Sequence, residues 1–100
     1  MDLPVACTLT IAELRARRRT ILDSVRRAVL DITPLLDGYA YRFEPTSEIL
    51  SQLARLVDPE RQCCAFLTFR ITVGSGRQPI CPEITGPPDA KAIIADLFGS

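Results

Sequence analysis

Asp58-Pro-Glu-Arg-Gln-Cys63-Cys64-Ala-Phe-Leu-Thr-Phe-Arg-Ile-Thr-Val73 joins a helix signal, two adjacent thiols and a strand signal without a break. Asp58 as N-cap, Pro59 at the first helical position and Glu60 after it spell a helix start, because the N–H that proline lacks is one the first turn leaves unused anyway. The piece that begins there is short and carries two adjacent thiols. It then gives way to alternation: Leu67, Phe69, Ile71 and Val73 face one way, and Thr68, Arg70 and Thr72 the other. In this reading Cys63 and Cys64 lie within the first two turns of a helix. The positive end of the helix there favours thiolate over thiol.

Downstream, Gly74-Ser-Gly-Arg-Gln78 reads as a flexible hairpin loop, and Ile80, Pro82 and Ile84 as the return strand. Pro79 and Pro82 cannot donate to a ladder, which predicts an edge position for that strand. Thr85-Gly86-Pro87-Pro88-Asp89 leads into a last helix with Ala90, Ile93, Ile94 and Leu97 apolar and Gly99 just past its end.

Upstream, Thr46 caps a helix through about Val57, with Ile49, Leu50, Leu53 and Leu56 inward and Glu48 in the first turn. Before it, Tyr39, Tyr41 and Phe43 alternate with Ala40, Arg42 and Glu44, a strand with one aromatic face. Asp37-Gly38 signals a turn, and Asp31 to Asp37, broken by Pro34, reads as irregular. Thr10-Ile-Ala-Glu13 fits a capping box that opens a helix to about Leu30. Its apolar face holds Ile11, Leu14, Ile21, Leu22, Val25, Ala28 and Val29, and Arg18 falls inside that apolar sector.

The resulting order is α-β-α-(short α)-β-β-α over one domain, residues 1–100. A helix joins the first strand to the second, so these two are expected to run parallel with a right-handed crossover. The second and third form an antiparallel hairpin. The expectation is an α+β fold: a small three-stranded mixed sheet with helices mainly on one face. The opposite face, with Ala40, Arg42, Thr68 and Arg70, is left for solvent or for a second copy of the chain.

Composition narrows the function. Twelve basic and twelve acidic side chains balance, against the positive excess of a nucleic-acid or membrane-surface binder. No run of apolar residues reaches the length of a membrane span. Met1 to Cys7 lacks the basic leader and apolar stretch of a lipoprotein cleavage site, and the chain is expected to be cytoplasmic. Four cysteines there are expected to be free, catalytic or metal-binding rather than disulfide-bonded. The chain contains no histidine. That removes the commonest general base and metal ligand, so Ser-His and Cys-His pairs are impossible within it.

The thiols are therefore the sharpest feature. Adjacent Cα atoms stand about 3.8 Å apart, whereas ordinary disulfides span roughly 4.4–6.8 Å, so a bond between Cys63 and Cys64 would be strained. Each sulfur more naturally finds its own partner, or both turn toward one soft ion. Cys7 lies three residues before the cap of the first helix. If it folds against Cys63 and Cys64, three sulfurs suit a trigonal soft metal or metalloid ion better than a closed four-ligand zinc site. Cys81 would add a fourth but points to the side of Glu83 and Thr85. Arg18, Glu60 and Arg61 are candidate supports around the sulfurs. Arg18 either pairs with Glu60 or a thiolate, or lays its stem along apolar surface. Set against all of this, cysteine packs readily as a small buried hydrophobe.

Cys7-Thr-Leu-Thr, Asp37-Gly38-Tyr39 with Arg42-Phe43, Glu60-Arg61-Gln-Cys63-Cys64-Ala-Phe66-Leu67-Thr-Phe69 and Ile84-Thr-Gly86-Pro87 together resemble a group of small uncharacterised bacterial proteins. Their hallmark is an E-R-x-C-C-x-F-L-x-F segment and a later I-x-G-P, and the resemblance covers nearly the whole chain. Such proteins accompany heavy-metal-response genes, which implies soft-metal or thiol chemistry. This chain departs from the pattern at Ala65, where proline is common, and at Cys81-Pro82, where the strand is usually apolar. Three functions follow as expectations: a soft-ion binding module through Cys7, Cys63 and Cys64; a structural or regulatory interaction domain with buried cysteines, open to homo-oligomer formation; and a thiol-redox enzyme.

Overall fold

The computed structural model describes residues 12–99, apart from the side chains of residues 12–15, Arg17, Arg18 and Cys63. The capping box at Thr10 and the thiol of Cys7 lie outside the described residues.

Asp31–Leu35, expected to be irregular, forms a strand, β1. It turns through Leu36 and Asp37 into β2, Gly38–Arg42, with Asp31 opposite Arg42 and Leu35 opposite Gly38. Pro34 is tolerated because β1 is the outermost strand, with one side of its backbone unpaired. Gly38 has no room for a side chain, since a Cβ there would run into the carbonyl of Ile84 on a neighbouring strand.

The remaining strands are β3, Thr68–Val73, and β4, Ile80–Thr85, joined by the expected hairpin loop. The order across the sheet is β1-β2-β4-β3, and each neighbouring pair is antiparallel. This corrects the three-stranded mixed sheet. The strands β2 and β3 do point the same way, but β4 lies between them.

The proline argument misplaced β4. Phe43 and Ile80 exchange both backbone bonds, at 2.9 and 3.0 Å. Two residues along, Tyr41 and Pro82 stand at the next exchanging position. The missing N–H of Pro82 therefore faces β2, and the ladder is interrupted there. It resumes from Ala40 opposite Glu83 to Gly38 opposite Thr85. Toward β3, where Pro82 opposes Ile71, the pairing is unbroken from Thr68 to Val73. One lost bond is cheaper than exposing Ile80, Pro82 and Ile84, which are all buried.

Three helices cover one face. They are α1, Ala12–Ala28, α2, Ser47–Cys63, and α3, Ala90–Phe98. Thr46 caps α2 as expected, its hydroxyl accepting from the Ile49 N–H at 3.1 Å. Gly99 ends α3 at φ +102°, as its position predicts. The core lies between the layers, with Leu22, Val25, Leu53, Leu56, Ile94 and Phe98 against Tyr41, Phe43, Ile80 and Ile84. Leu50, expected inward, is substantially exposed.

The largest correction concerns the opening stretch. Asp58-Pro59 starts no helix; it lies inside the single helix α2. Proline in a helix interior removes one bond and crowds the preceding turn, at a cost of about 3 kcal/mol. The helix continues because Leu53, Leu56, Glu60 and Cys64 recur at helical spacing, and all four are buried, the last two to 0% exposure. A break at Pro59 would rotate Glu60 and Cys64 off that stripe. Asp58 instead takes bonds from Arg61 and Gln62 on the exposed side, at 3.0 and 3.3 Å.

Candidate functional site

The site follows from where α2 ends. Its last residue is Cys63, and Cys64 closes it with its N–H donating to the Glu60 carbonyl at 2.7 Å. The Cys64 carbonyl then accepts from Leu67 N at 3.0 Å, turning the chain into β3. The two cysteines thus stand at the C-terminal end of a helix, not in its first turns. The partial charge there is negative and opposes a bare thiolate, so the electrostatic reason for an activated thiol is reversed.

Cys64 has no exposed surface and is disulfide-bonded. This departs from the expectation of free thiols. Glu60, one turn earlier on the same stripe, also has no exposed surface. No buried side-chain nitrogen or oxygen among the described residues lacks a hydrogen-bond partner. A fully buried acidic residue and a fully buried, bonded cysteine one turn apart on one stripe are the least ordinary pair in the described core.

The other sequence candidates separate cleanly. Arg61 is exposed and pairs with Asp58 at 2.9 Å. Arg18 falls within α1, on the spacing of Leu22 and Val25, but its side chain is outside the described set, as is that of Cys63. Cys7 lies outside the described residues. Cys81 is free and half-buried, on the sheet face that carries no helix, with its sulfur 3.7 Å from the Pro79 carbonyl oxygen. The whole sheet separates it from Cys64. Among the described residues no three His, Cys, Asp or Glu side chains gather as a metal site.

Two segments that carry the resemblance meet in space. A Cβ on Gly86 would stand 2.8 Å from the Cβ of Ala90 and 3.3 Å from the carbonyl oxygen of Phe66. Gly86 of the later segment therefore lets the turn after Cys64 close against the start of α3. Its N–H also donates to Asp37 at 3.0 Å, tying the same point to the β1–β2 hairpin. Nearby, Lys91 of α3 donates to the Leu35 carbonyl at 2.7 Å and lies 5.2 Å from the Tyr39 ring centroid.

The core also holds an apolar cavity lined by Val25, Val29, Leu53, Val57, Phe69 and Ile71, among others. Its interior, about 20 Å³, admits one water-sized sphere and no larger ligand.

Sequence reasoning missed the disulfide at Cys64, while burial of the cysteines was among its expectations. The signal for that burial was present in the 3-4-4 spacing of Leu53, Leu56, Glu60 and Cys64, which runs straight through Pro59. No helix among the described residues is long and apolar enough to cross a membrane. Comparison with protein-family models, with curated proteins and with solved structures gave no match. The structure is a small α+β fold, an antiparallel sheet covered on one face, with a buried, disulfide-bonded Cys64 where α2 meets β3.

Proposed function

We propose that this chain is a cytoplasmic thiol-bearing module that, when reduced, takes a soft metal or metalloid ion through Cys63, Cys64 and Cys7. One observation carries the reading: the sulfur of Cys64 is joined to another cysteine sulfur. Sulfurs near enough to bond can share an ion after reduction, each at roughly 2.3 Å from it. The C-terminal end of α2 adds to this. A negative helix end that opposes a bare thiolate favours the same thiolate once a cation is bound to it. Thiolates without histidine select soft ions, and the resemblance through Glu60-Arg61-Gln-Cys63-Cys64 supports the same chemistry.

The test is Cd(II) titration of the reduced protein followed by native mass spectrometry. One ion per chain is expected, with binding lost in Cys64→Ser and weakened in Cys63→Ser. Equal affinity in wild type and both variants overturns the reading.

A second reading, an interaction domain whose buried cysteines are structural, draws on the complete burial of Cys64 and on the uncovered sheet face, which is open to a second copy. It predicts that Cys64→Ala keeps the fold and the oligomeric state while the reduced wild type takes up no Cd(II).

A further inference from the structure

The two outer strands of the sheet, β1 and β3, are not alike. On β1, Pro34 opposes Tyr39, and Tyr39 opposes Ile84 on β4. Tyr39 lies four residues along from Phe43, which exchanges both backbone bonds with Ile80 of β4. Bonding direction alternates along an antiparallel strand, so the backbone of Tyr39 also turns to β4 and that of Pro34 turns to the open side of β1. A proline there offers no N–H to a further strand, which is one of the ways an edge is kept from pairing with another chain. The other edge, β3, reads Thr-Phe-Arg-Ile-Thr-Val and contains no proline, glycine or lysine. All but Arg70 are strong strand formers.

Ile80 and Pro82 turn their backbone groups toward β2, so Val73 and Ile71, which oppose them on β3, turn theirs outward. Phe69 follows by the same alternation. Among the described residues β3 ends the sheet, with no strand beyond it. The side chains of these same three residues face the helical layer, which leaves them incompletely covered: Phe69 and Ile71 are half-buried and Val73 is 56% exposed. The helix α2 extends the apolar strip. Val57 lines the cavity together with Phe69 and Ile71, and Leu50, two turns earlier on the same side of the helix, is 38% exposed. An open backbone edge and an apolar strip therefore run side by side.

We propose that this edge is the interface of a homodimer, in which β3 pairs antiparallel with β3 of a second copy across a two-fold axis and the two sheets become one. The inference is independent of the soft-ion reading. The strand is complementary to itself in one register. Centred on Arg70, the pairing sets Arg70 against Arg70, and like charges directly opposite are destabilising. Centred on Thr72, it leaves Phe69 without a partner. Centred on Ile71, it pairs Ile71 with Ile71, Phe69 with Val73 and Arg70 with Thr72 of the second copy. Every outward-facing residue then exchanges backbone bonds, and an aromatic ring covers the exposed Val73. On the other face Arg70, a donor only, meets the hydroxyl of Thr72 as an acceptor, while Glu83 of its own chain stays opposite it on β4.

Sedimentation equilibrium of the full chain over a concentration series tests this, with covalent dimers excluded by mass spectrometry under denaturant. A monomer–dimer equilibrium is expected. Val73→Pro removes one outward-facing N–H and spares the bonds to β4, copying the guard that Pro34 gives β1. Val73→Lys sets a charge in the apolar strip. Each should raise the dissociation constant by about tenfold or more, because the two-fold axis doubles every loss, and each should keep the circular dichroism of the wild type. Thr72→Glu places a carboxylate opposite Arg70 of the second copy and should tighten the dimer at low salt. Ala40→Lys, on the uncovered sheet face, should leave it unchanged. The mass of one chain at every concentration overturns the proposal and leaves the edge to a strand from another protein. A dimer that both Val73 variants leave intact, or that Ala40→Lys breaks, overturns it by placing the interface elsewhere. Assemblies that grow beyond two chains overturn the closed two-fold pairing, and a dimer loosened by Thr72→Glu overturns the register.

Discussion

Cys64 and Cys81 occupy opposite sides of one sheet and have opposite fates. Cys64 is sealed in the core, one turn after the buried Glu60, and its sulfur is bonded. Cys81 sits on the uncovered face between Thr72 and the solvent-side residues of β4, half-buried and free. The same side chain is thus a structural and chemical centre in one place and a surface residue in the other. The difference is set by periodicity. Cys64 continues a helical stripe begun by Leu53, whereas Cys81 falls on the odd positions of a strand whose even positions, Ile80, Pro82 and Ile84, face the core.

The largest effect that sharpens this comparison is expected at Glu60. A carboxylate with no exposed surface and satisfied oxygens is matched by groups that lose their partner if it is removed. Glu60→Ala should destabilise the protein by about 3 kcal/mol or more, the scale for breaking a buried polar pair. Urea denaturation measures it, with Glu83→Ala on the outer face as control, where about 0.5 kcal/mol or less is expected. Equal losses at the two sites would mean that the inner layer imposes no special demand on charge.

The next effect concerns the bond at Cys64. A disulfide that closes a long stretch of chain contributes about 2–4 kcal/mol, largely by restricting the unfolded chain, whereas one between adjacent residues closes almost no loop. A phosphine reductant should therefore shift the denaturation midpoint of the wild type by an amount set by the loop the bond closes, and leave Cys64→Ala unmoved, since the variant has already lost the bond. A wild type insensitive to reductant would remove the distinction between Cys64 and Cys81 as far as stability goes.

Much of this contrast was legible before any coordinates. The aromatic face of β2, the Thr46 cap, the hairpin loop after Val73 and the outward side of Cys81 all follow from period and punctuation. Besides the disulfide at Cys64, three features did not, and each of the three involves proline. Pro34 concealed β1, Pro59 looked like a helix start and Pro82 like an edge marker. At Pro59 and Pro82 a local cost of one backbone bond is outweighed by apolar burial along the element, which a reading of nearest neighbours underweights, whereas Pro34 is tolerated by the edge position of a strand with no buried residue. Cys63 and Cys64 were assigned to the wrong end of a helix, because the direction of the dipole there depends on whether Pro59 begins α2 or interrupts it.

A smaller effect tests the inner layer by pH. Tyr41 is buried and donates to the Gly99 carbonyl at 2.8 Å. Burial, with a lesser contribution from Tyr39, pushes its phenol above the ordinary range, against a weaker opposing pull from Arg26. A folded-state value raised above the unfolded one of about 10 favours the neutral form, so the contribution is complete below about pH 10 and lost as pH rises beyond it. Tyr41→Phe should cost about 1 kcal/mol near neutrality for the missing bond and should flatten the alkaline loss of stability. An unchanged slope would place that loss elsewhere.

The smallest effect belongs to Cys81. Its sulfur makes one long contact to the Pro79 carbonyl, and it lines neither the cavity nor the core. Serine preserves its size and its donor, so Cys81→Ser should change stability by about 0.5 kcal/mol or less and leave Cd(II) uptake intact. Native, unreduced protein should take maleimide at Cys81 and none at Cys64, whose sulfur is both bonded and without exposed surface. Labelling at Cys64 should need reductant together with local opening of the junction between α2 and β3. Were Cys64 to label as readily as Cys81 once reduced, the end of α2 would open on its own, and burial alone would not be what separates the two thiols.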